Sequence, residues 1–550
     1  MMAELKNLSE NPVKTPPAFH TLMFATVSRL LVAAFFCSPV VLVAQQIDDV
    51  VISEIMFFPD ETIVPEAVGE EFIEITNRGT TVVDLSGWEV SRGVNFLFPA
   101  TLTLDPGARL AISADPVAFA AKYPGVANVV GPWTGRLSNS GESIRLKNGL
   151  GVEIDEVVYA DQGNEWGVRG RGEDDLGFMG WAWSDLADGG KKSLELINLL
   201  ASNKRGQNWM ASVVDGGTPG AVNSVDAADI APRIFEVRHE PAIPRSEQPV
   251  TVTAEFRDEA LGATGLLYWR LDGAPTFQTV PLLDDGLSGD DLPGDGRFGG
   301  MIPAQAHGSI IEFYIEASDT GGLTRIWPRQ AGAPEANALY RVDDEFDFET
   351  ATRPGGHPHL AVVMTAAETA ELALLASDLE TLRSNAQMNA TVVSVDVSGI
   401  DIHYSTGFRI RGNGARKRDP LSYRINFTET WKGIKKLNLN STYSWRQYFG
   451  MQFAQKSMGV GQDSWRADVF INGVNPASDS RKVSYFSYVA MEAPDSQFAR
   501  NHYPEDGNGN LYKPNATLSY RGPESDRYSD RYQKQTNESD GDWTDLADLT

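Results

Sequence analysis

The chain of 550 residues has room for roughly three to four domains, and 42% hydrophobic against 22% charged residues is a globular balance with material for several cores. A formal net charge of −27 argues against a binder of nucleic-acid backbones, which concentrates Lys and Arg, and fits a soluble secreted protein able to hold divalent cations. One cysteine excludes a disulfide framework and a CxxC metal site alike.

Residues 1–28 are polar and mixed, with Lys6 and Lys14 among them and Arg29 just after. The apolar run Leu30–Ala44, interrupted by Pro39, is shorter than the roughly 20 residues of a membrane span. It predicts a signal peptide over 1–44, cleaved after Ala44 and before Gln45. Leu42 fits that cleavage poorly, and Met23 offers a second start that leaves a compact, Arg29-led signal. Cys37 is read as a core cysteine lost with the signal, because Phe35 and Phe36 spoil a lipoprotein acylation motif. The expected location is secreted, extracellular or in the cell envelope, with no stable membrane span in the mature chain.

From Val50 short alternating segments separated by turn residues predict strands: 50–58, 70–77, 86–90 and 109–115. Residues 141–159 read as a hairpin whose Asn148–Gly149 suits a type I′ turn. Glu71, Glu74 and Asn77 form a candidate polar cluster, with Glu71 off the alternation, and Trp88 is expected in the core. The run Ile52-Ser53-Glu54-Ile55, Glu71 through Asn77, and Asp84-Leu85-Ser86-Gly87-Trp88 resembles the lamin-tail domain. Leu137 through Glu142, Asp155 through Tyr159, Ser193-Leu194-Glu195 and Gly217-Thr218-Pro219-Gly220 extend the resemblance over about 48–224, with a looser insertion at 161–190. It implies an immunoglobulin-like sandwich for surface attachment or protein contact.

Residues 228–342 alternate again in PRIFEVRHEP, QPVTVTAEFRD, GLLYWRLDG and IIEFYIEASD. They are similar to the fibronectin or immunoglobulin-like modules of bacterial surface proteins. Asp284, Asp290, Asp291 and Asp295 lie in one Gly-rich loop, read either as a Ca²⁺ site or as an acidic hairpin turn; it lacks the spacing of an EF-hand. Asp319 is read as a turn residue.

After a linker at 343–360, residues 364–386 predict a helix with Thr365 as N-cap and Glu368 completing a capping box. Strands are expected over 391–406, 408–427 around a basic Gly-rich turn, and 434–440; a helix follows at 444–459, capped by Gly459. Shorter strands are expected at 468–474, 488–493 and 510–514.

Arg409 through Asn413, Ser422 through Phe427, Lys435 through Asn440, Phe470 through Gly473, Tyr488 with Glu492, and Leu511-Tyr512-Lys513 resemble the CotH spore-coat kinase family. The resemblance implies an atypical kinase-like fold that transfers phosphate from ATP, with Mg²⁺ or Mn²⁺, to a secreted protein substrate. Phosphoryl transfer needs cations around the phosphates. Arg416, Lys417 and Arg418 in the basic turn, with Arg424, Lys436 and Lys513, are the candidates, and Glu492 is a candidate partner for one of them. The competing reading makes 416–418 a solvated turn and Arg424 a strand-exposed residue. In the family the metal-serving Asp residues lie further along, in a larger lobe, so Asp540, Asp542 and Asp545 receive no catalytic role and the domain at 361–550 is read as truncated.

The expected fold class is thus multidomain: two all-β immunoglobulin-like sandwiches followed by a truncated α+β atypical kinase-like domain. The expected function is a secreted bacterial CotH-like protein kinase with β-sandwich binding modules. The alternative is a non-catalytic surface or matrix protein that binds envelope components or Ca²⁺. A third reading, a secreted hydrolase, has little support: GxSxG and HExxH are absent, and His357 and His359 are expected in a linker without carboxylate company.

Overall fold

The structure, a computed structural model, describes residues 49–550 apart from 64, 164, 330–335, 378–380, 413, 479–485, 505–506, 508, 515–519, 523, 530, 538–542 and 550. The expected signal peptide with Cys37, and Asp540 and Asp542, lie outside the described residues. The described chain is rich in β-sheet with few helices, and among the described residues no helix is long and apolar enough to cross a membrane.

The first body is a sandwich. Val50–Met56 lies between Leu194–Leu196 and Phe72–Asn77 in a six-stranded sheet, and Ser143–Lys147 pairs Glu153–Val158 and Glu89–Ser91 in the opposing one. Ile52, Ile55, Ile73, Ile75, Trp88, Ile144, Leu146 and Val157 fill the space between them, so Trp88 is a core residue. The Asn148 hairpin differs from a two-residue turn. Asn148 Oδ1 accepts the amides of Leu150 and Val152, and Gly151 takes the left-handed conformation (φ 77°), so the loop runs over 148–152.

The other face of the six-stranded sheet is buried too, and it is acidic. Glu54 stands opposite Glu74 on one side and Glu195 on the other, and all three are fully buried. The Gly217–Gly220 segment covers them: Thr218 N donates to Glu54 Oε1 (2.8 Å), Gly220 N to Glu74 Oε2 (2.5 Å), and Thr218 Oγ1 to Glu195 Oε1 (2.7 Å). Glu71 lies apart, accepting the Leu137 amide at 2.9 Å, so the expected Glu71–Glu74 cluster is two separate sites.

The second body pairs Arg233–Glu240, Val250–Arg257 and Arg297–Ile302 against a sheet centred on Thr264–Leu271 and Ile310–Ser318, closing on Val252, Leu267, Phe313 and Ile315. The third is a closed seven-stranded barrel: His359–Val363, Met388–Asp396, Gly399–Ile410, Tyr423–Trp431, Ile434–Asn440, Tyr488–Glu492 and Ser464–Ile471, in that order around the ring. Its last strand joins the first in parallel, with His359 opposite Asp468. The sequence predicts one helix over 364–386, but the helix ends at Ser377. Thr365 Oγ1 accepts Glu368 N (3.1 Å) as an N-cap should, yet the Glu368 carboxylate does not close the capping box. It is buried, and accepts Trp181 Nε1 (2.6 Å) and Asn389 N (2.9 Å) instead.

Trp181 belongs to the 161–190 insertion, whose strands Val168–Glu173 and Met179–Ser184 pair with each other and, among the described residues, with no other strand. This hairpin lies on the barrel. Arg169 is buried and donates to the carbonyls of Ser405 (2.7 Å) and Thr406 (3.4 Å), and Arg171 pairs with Glu371 at 2.6 Å.

Burial, reinforced by the Glu74 charge, pushes the Glu54 carboxyl well above the usual range, and burial lifts Glu74 to about 7. A raised native pKa means that the folded state holds the proton more tightly than the unfolded chain does. That stabilisation is complete below the ordinary 4.5 and is lost as pH rises through about 7. Glu74→Gln, which cannot ionise, should therefore gain on the wild type by up to roughly 3 kcal/mol between pH 5 and pH 8. Urea denaturation at the two pH values checks it, and a pH-independent difference would remove the buried-acid account.

Candidate functional site

Strand alternation sorts the barrel residues by face. Phe408, Ile410, Tyr423, Ile425, Leu437 and Leu439 are buried in the barrel core, so Arg409, Arg411, Arg424, Lys436, Asn438 and Asn440 lie on the other side of their strands. Register then aligns them: Arg409 stands opposite Arg424, and Arg424 opposite Asn438. Arg424 Nε donates to Asn438 Oδ1 (2.9 Å), Arg409 NH1 to Asn385 Oδ1 (2.8 Å), and an Arg411 amino group to Asn440 Oδ1. Among the described residues, no carboxylate lies within salt-bridge distance of Arg409, Arg411 or Arg424.

The cations feel one another. Burial, then Arg424, Arg416 and Arg411, drives Arg409 down to about 9. Burial, then Arg424 and Arg416, brings Arg411 to about 10, and Lys513 is lowered by burial, then Arg411 and Arg424. A guanidinium keeps its proton at neutral pH, so this repulsion is relieved by an anion rather than by deprotonation. Neutral amide partners hold the side chains in place without discharging them.

Of the predicted residues, Arg424 lies at the centre of this face and Lys513, itself exposed, contributes to its field. Arg416 does not. Its guanidinium is buried on the chain's own oxygens: Gly412 O (2.6 Å), Leu382 O (2.6 Å), Ser384 O (2.5 Å) and Asn385 Oδ1 (2.6 Å). Its donors are spent on fixing the turn. Lys417 and Arg418 are exposed beside it. Lys436 pairs with Asp495 at 3.6 Å in a cleft of about 300 Å³ shared with Ser138, Asn139 and Ser140 of the first sandwich. Glu492 partners none of the predicted cations. It is fully buried and engaged by His502 Nε2 (2.7 Å), Asn501 Nδ2 (3.1 Å) and Asp463 N (3.3 Å).

Arg409 and Arg411 were the residues missed. Both fall in the Arg-Ile-Arg motif, and their spacing of two on a strand with apolar neighbours was the available signal.

The acidic loop folds onto its own amides. Asp284 accepts from Gly294, Asp295 and Gly296, Asp290 from Gly286 and Ser288, and Asp295 from Arg297; Asp291 is exposed. Among the described residues, the groups whose ligand atoms approach closely enough to share an ion are Asp463, Glu492 and His502, and Asp229, Asp258 and Asp319, not this loop. His357 and His359 border a cavity of about 310 Å³ with Phe346, Arg353, Asp468 and Phe470. Asp468, opposite His359 in register, is the carboxylate company that the sequence did not reveal.

Residues 44–161 match the Lamin Tail Domain family model, and residues 408–550 match that of the CotH kinase protein family. The chain thus combines a lamin-tail region with a region similar to the CotH kinase family. No curated protein matches it. Solved structures with some likeness include the cycloalternan-forming enzyme from Listeria monocytogenes in complex with a pentasaccharide substrate, at 14% identity and a TM-score of 0.16, covering 36% of this chain and 14% of that one. Another is an uncharacterised protein from Listeria monocytogenes EGD-e in complex with glucose, magnesium and calcium, at 15% identity and a TM-score of 0.15, covering 36% and 14% respectively. The chain thus spans about 14% of the length of either, and likeness at these scores carries no argument.

Arg416→Ala should destabilise the protein by roughly 2–4 kcal/mol, because it leaves buried carbonyls without donors. Lys417→Ala with Arg418→Ala should leave the melting temperature unchanged. Equal effects in a thermal melt would contradict the structural role of Arg416.

Proposed function

We propose that the face built from Arg409, Arg411, Arg424 and Lys513 binds the phosphate groups of a nucleotide, and that the chain is the nucleotide-facing part of a secreted CotH-like protein kinase acting on an extracellular or envelope protein. The observation that carries the reading is the alignment of Arg409 beside Arg424, both held by amide oxygens and neither neutralised by a carboxylate. Planar guanidinium groups suit phosphate oxygens, and their charge-assisted hydrogen bonds are about twice as strong as neutral ones. The match of residues 408–550 to the CotH kinase family supports ATP as the source of those phosphates.

Bound ATP would supply the phosphoryl group. The chain's own contribution is to hold the phosphates and to offset their charge. The Asp463–Glu492–His502 group does not fit the metal expected with the nucleotide. Glu492 in the Asp463–Glu492–His502 group is already satisfied by its neighbours, and Asp495 is bonded to Lys436.

Calorimetric titration of the full chain with ATP tests the reading. Binding should weaken steeply with added salt, and Arg424→Ala should lower affinity roughly tenfold or more, the scale of one lost charge-assisted contact. Lys417→Ala with Arg418→Ala should change it little. Absence of binding at low salt, or indifference to Arg424→Ala, would overturn the proposal.

A further inference from the structure

The cation face does not stand on barrel residues alone. Asn385 Oδ1 accepts from both Arg409 NH1 (2.8 Å) and Arg416 NH2 (2.6 Å), so this side chain, with the Ile410 carbonyl at 3.2 Å from the same NH1, orients the Arg409 guanidinium. Asn385 belongs to the segment 384–387, between the last helical turn before the barrel strand and the strand itself.

That segment is held from outside the barrel. Asp174, at the tip of the 168–184 hairpin, accepts from Ser384 Oγ (2.7 Å), Asn385 N (2.6 Å) and Ala386 N (3.1 Å) through Oδ2. Its Oδ1 accepts the amides of Leu176 and Phe178, both at 3.0 Å, and so fixes the hairpin's own turn. Trp181 N donates to Gln387 O at 2.7 Å. Gly180 lets the two backbones approach: a Cβ there would lie 2.6 Å from Gln387 N and 2.9 Å from Ala386 Cα. One carboxylate thus ties the hairpin turn to the amide of the residue that orients Arg409.

We infer that the hairpin inserted in the lamin-tail domain is a positioning element for the phosphate-binding face, acting through Asp174 on Asn385 and through Asn385 on Arg409. The inference rests on the anion reading of that face and names what controls it. The first sandwich is then part of the site's machinery, and displacement of the hairpin lowers anion affinity without removing any cation.

The test uses the full chain and inorganic pyrophosphate as probe, with affinity and melting temperature measured together. Asp174→Ala and Gly180→Ala should each weaken pyrophosphate binding roughly tenfold, the size of coupling found between groups in one hydrogen-bonded network. In an Asn385→Ala background, Asp174→Ala should add no further loss, an outcome that general destabilisation does not produce. Gly180→Ala serves where Asp174→Ala fails to fold, since it disturbs the docking and leaves every polar group present. If both variants bind like the wild type while Arg424→Ala has lost binding, the hairpin inference is wrong and the anion site stands. If the wild type itself does not bind pyrophosphate, both readings fall.

Discussion

Guanidinium groups placed side by side on neighbouring strands repel one another, and the barrel tolerates Arg409 against Arg424 because amide oxygens orient them. A carboxylate in the place of Asn385 or Asn438 would give a closed ion pair and a more stable, inert surface. Amide oxygens do the opposite. They fix direction while leaving the charge for something else to neutralise, and the functional account depends on that difference.

The same constraint explains why the domains are packed as they are. The whole chain carries a net charge of −27, yet among the described residues no carboxylate lies within salt-bridge distance of Arg409, Arg411 or Arg424. Asp174 is oriented by hydroxyl and amide donors, and Asp495 pairs with Lys436. The first sandwich borders the barrel face at two places, with the 168–184 hairpin beside Asn385 and the Ser138–Ser140 segment in the cleft at Lys436. It shapes the site that it borders.

The sandwiches were legible because alternation with turn residues reports half-buried strands, and Val50–Met56, Phe72–Asn77 and Ile310–Ser318 fall where the pattern puts them. The buried Glu54, Glu74 and Glu195 were not, since an acidic position in an alternating strand reads as solvent-facing until a distant segment, here Gly217–Gly220, is known to cover it. Arg416 and Glu368 misled for one reason: each sits in a local motif that offers a role, a basic turn or a capping box. Tertiary partners far along the chain claimed both side chains first. Arg409 and Arg411 were visible as an i, i+2 pair. The alignment of Arg409 with Arg424 needed the strand register, which no single strand reveals.

A crystal structure of the full chain with a non-hydrolysable ATP analogue is the most direct test of where the phosphates go. The account predicts phosphate density against Arg409 and Arg424, with Asn385 and Asp174 still bonded behind them. Phosphate density in the cavity beside Arg353, His357 and Asp468, with the Arg409–Arg424 face bare, would contradict it.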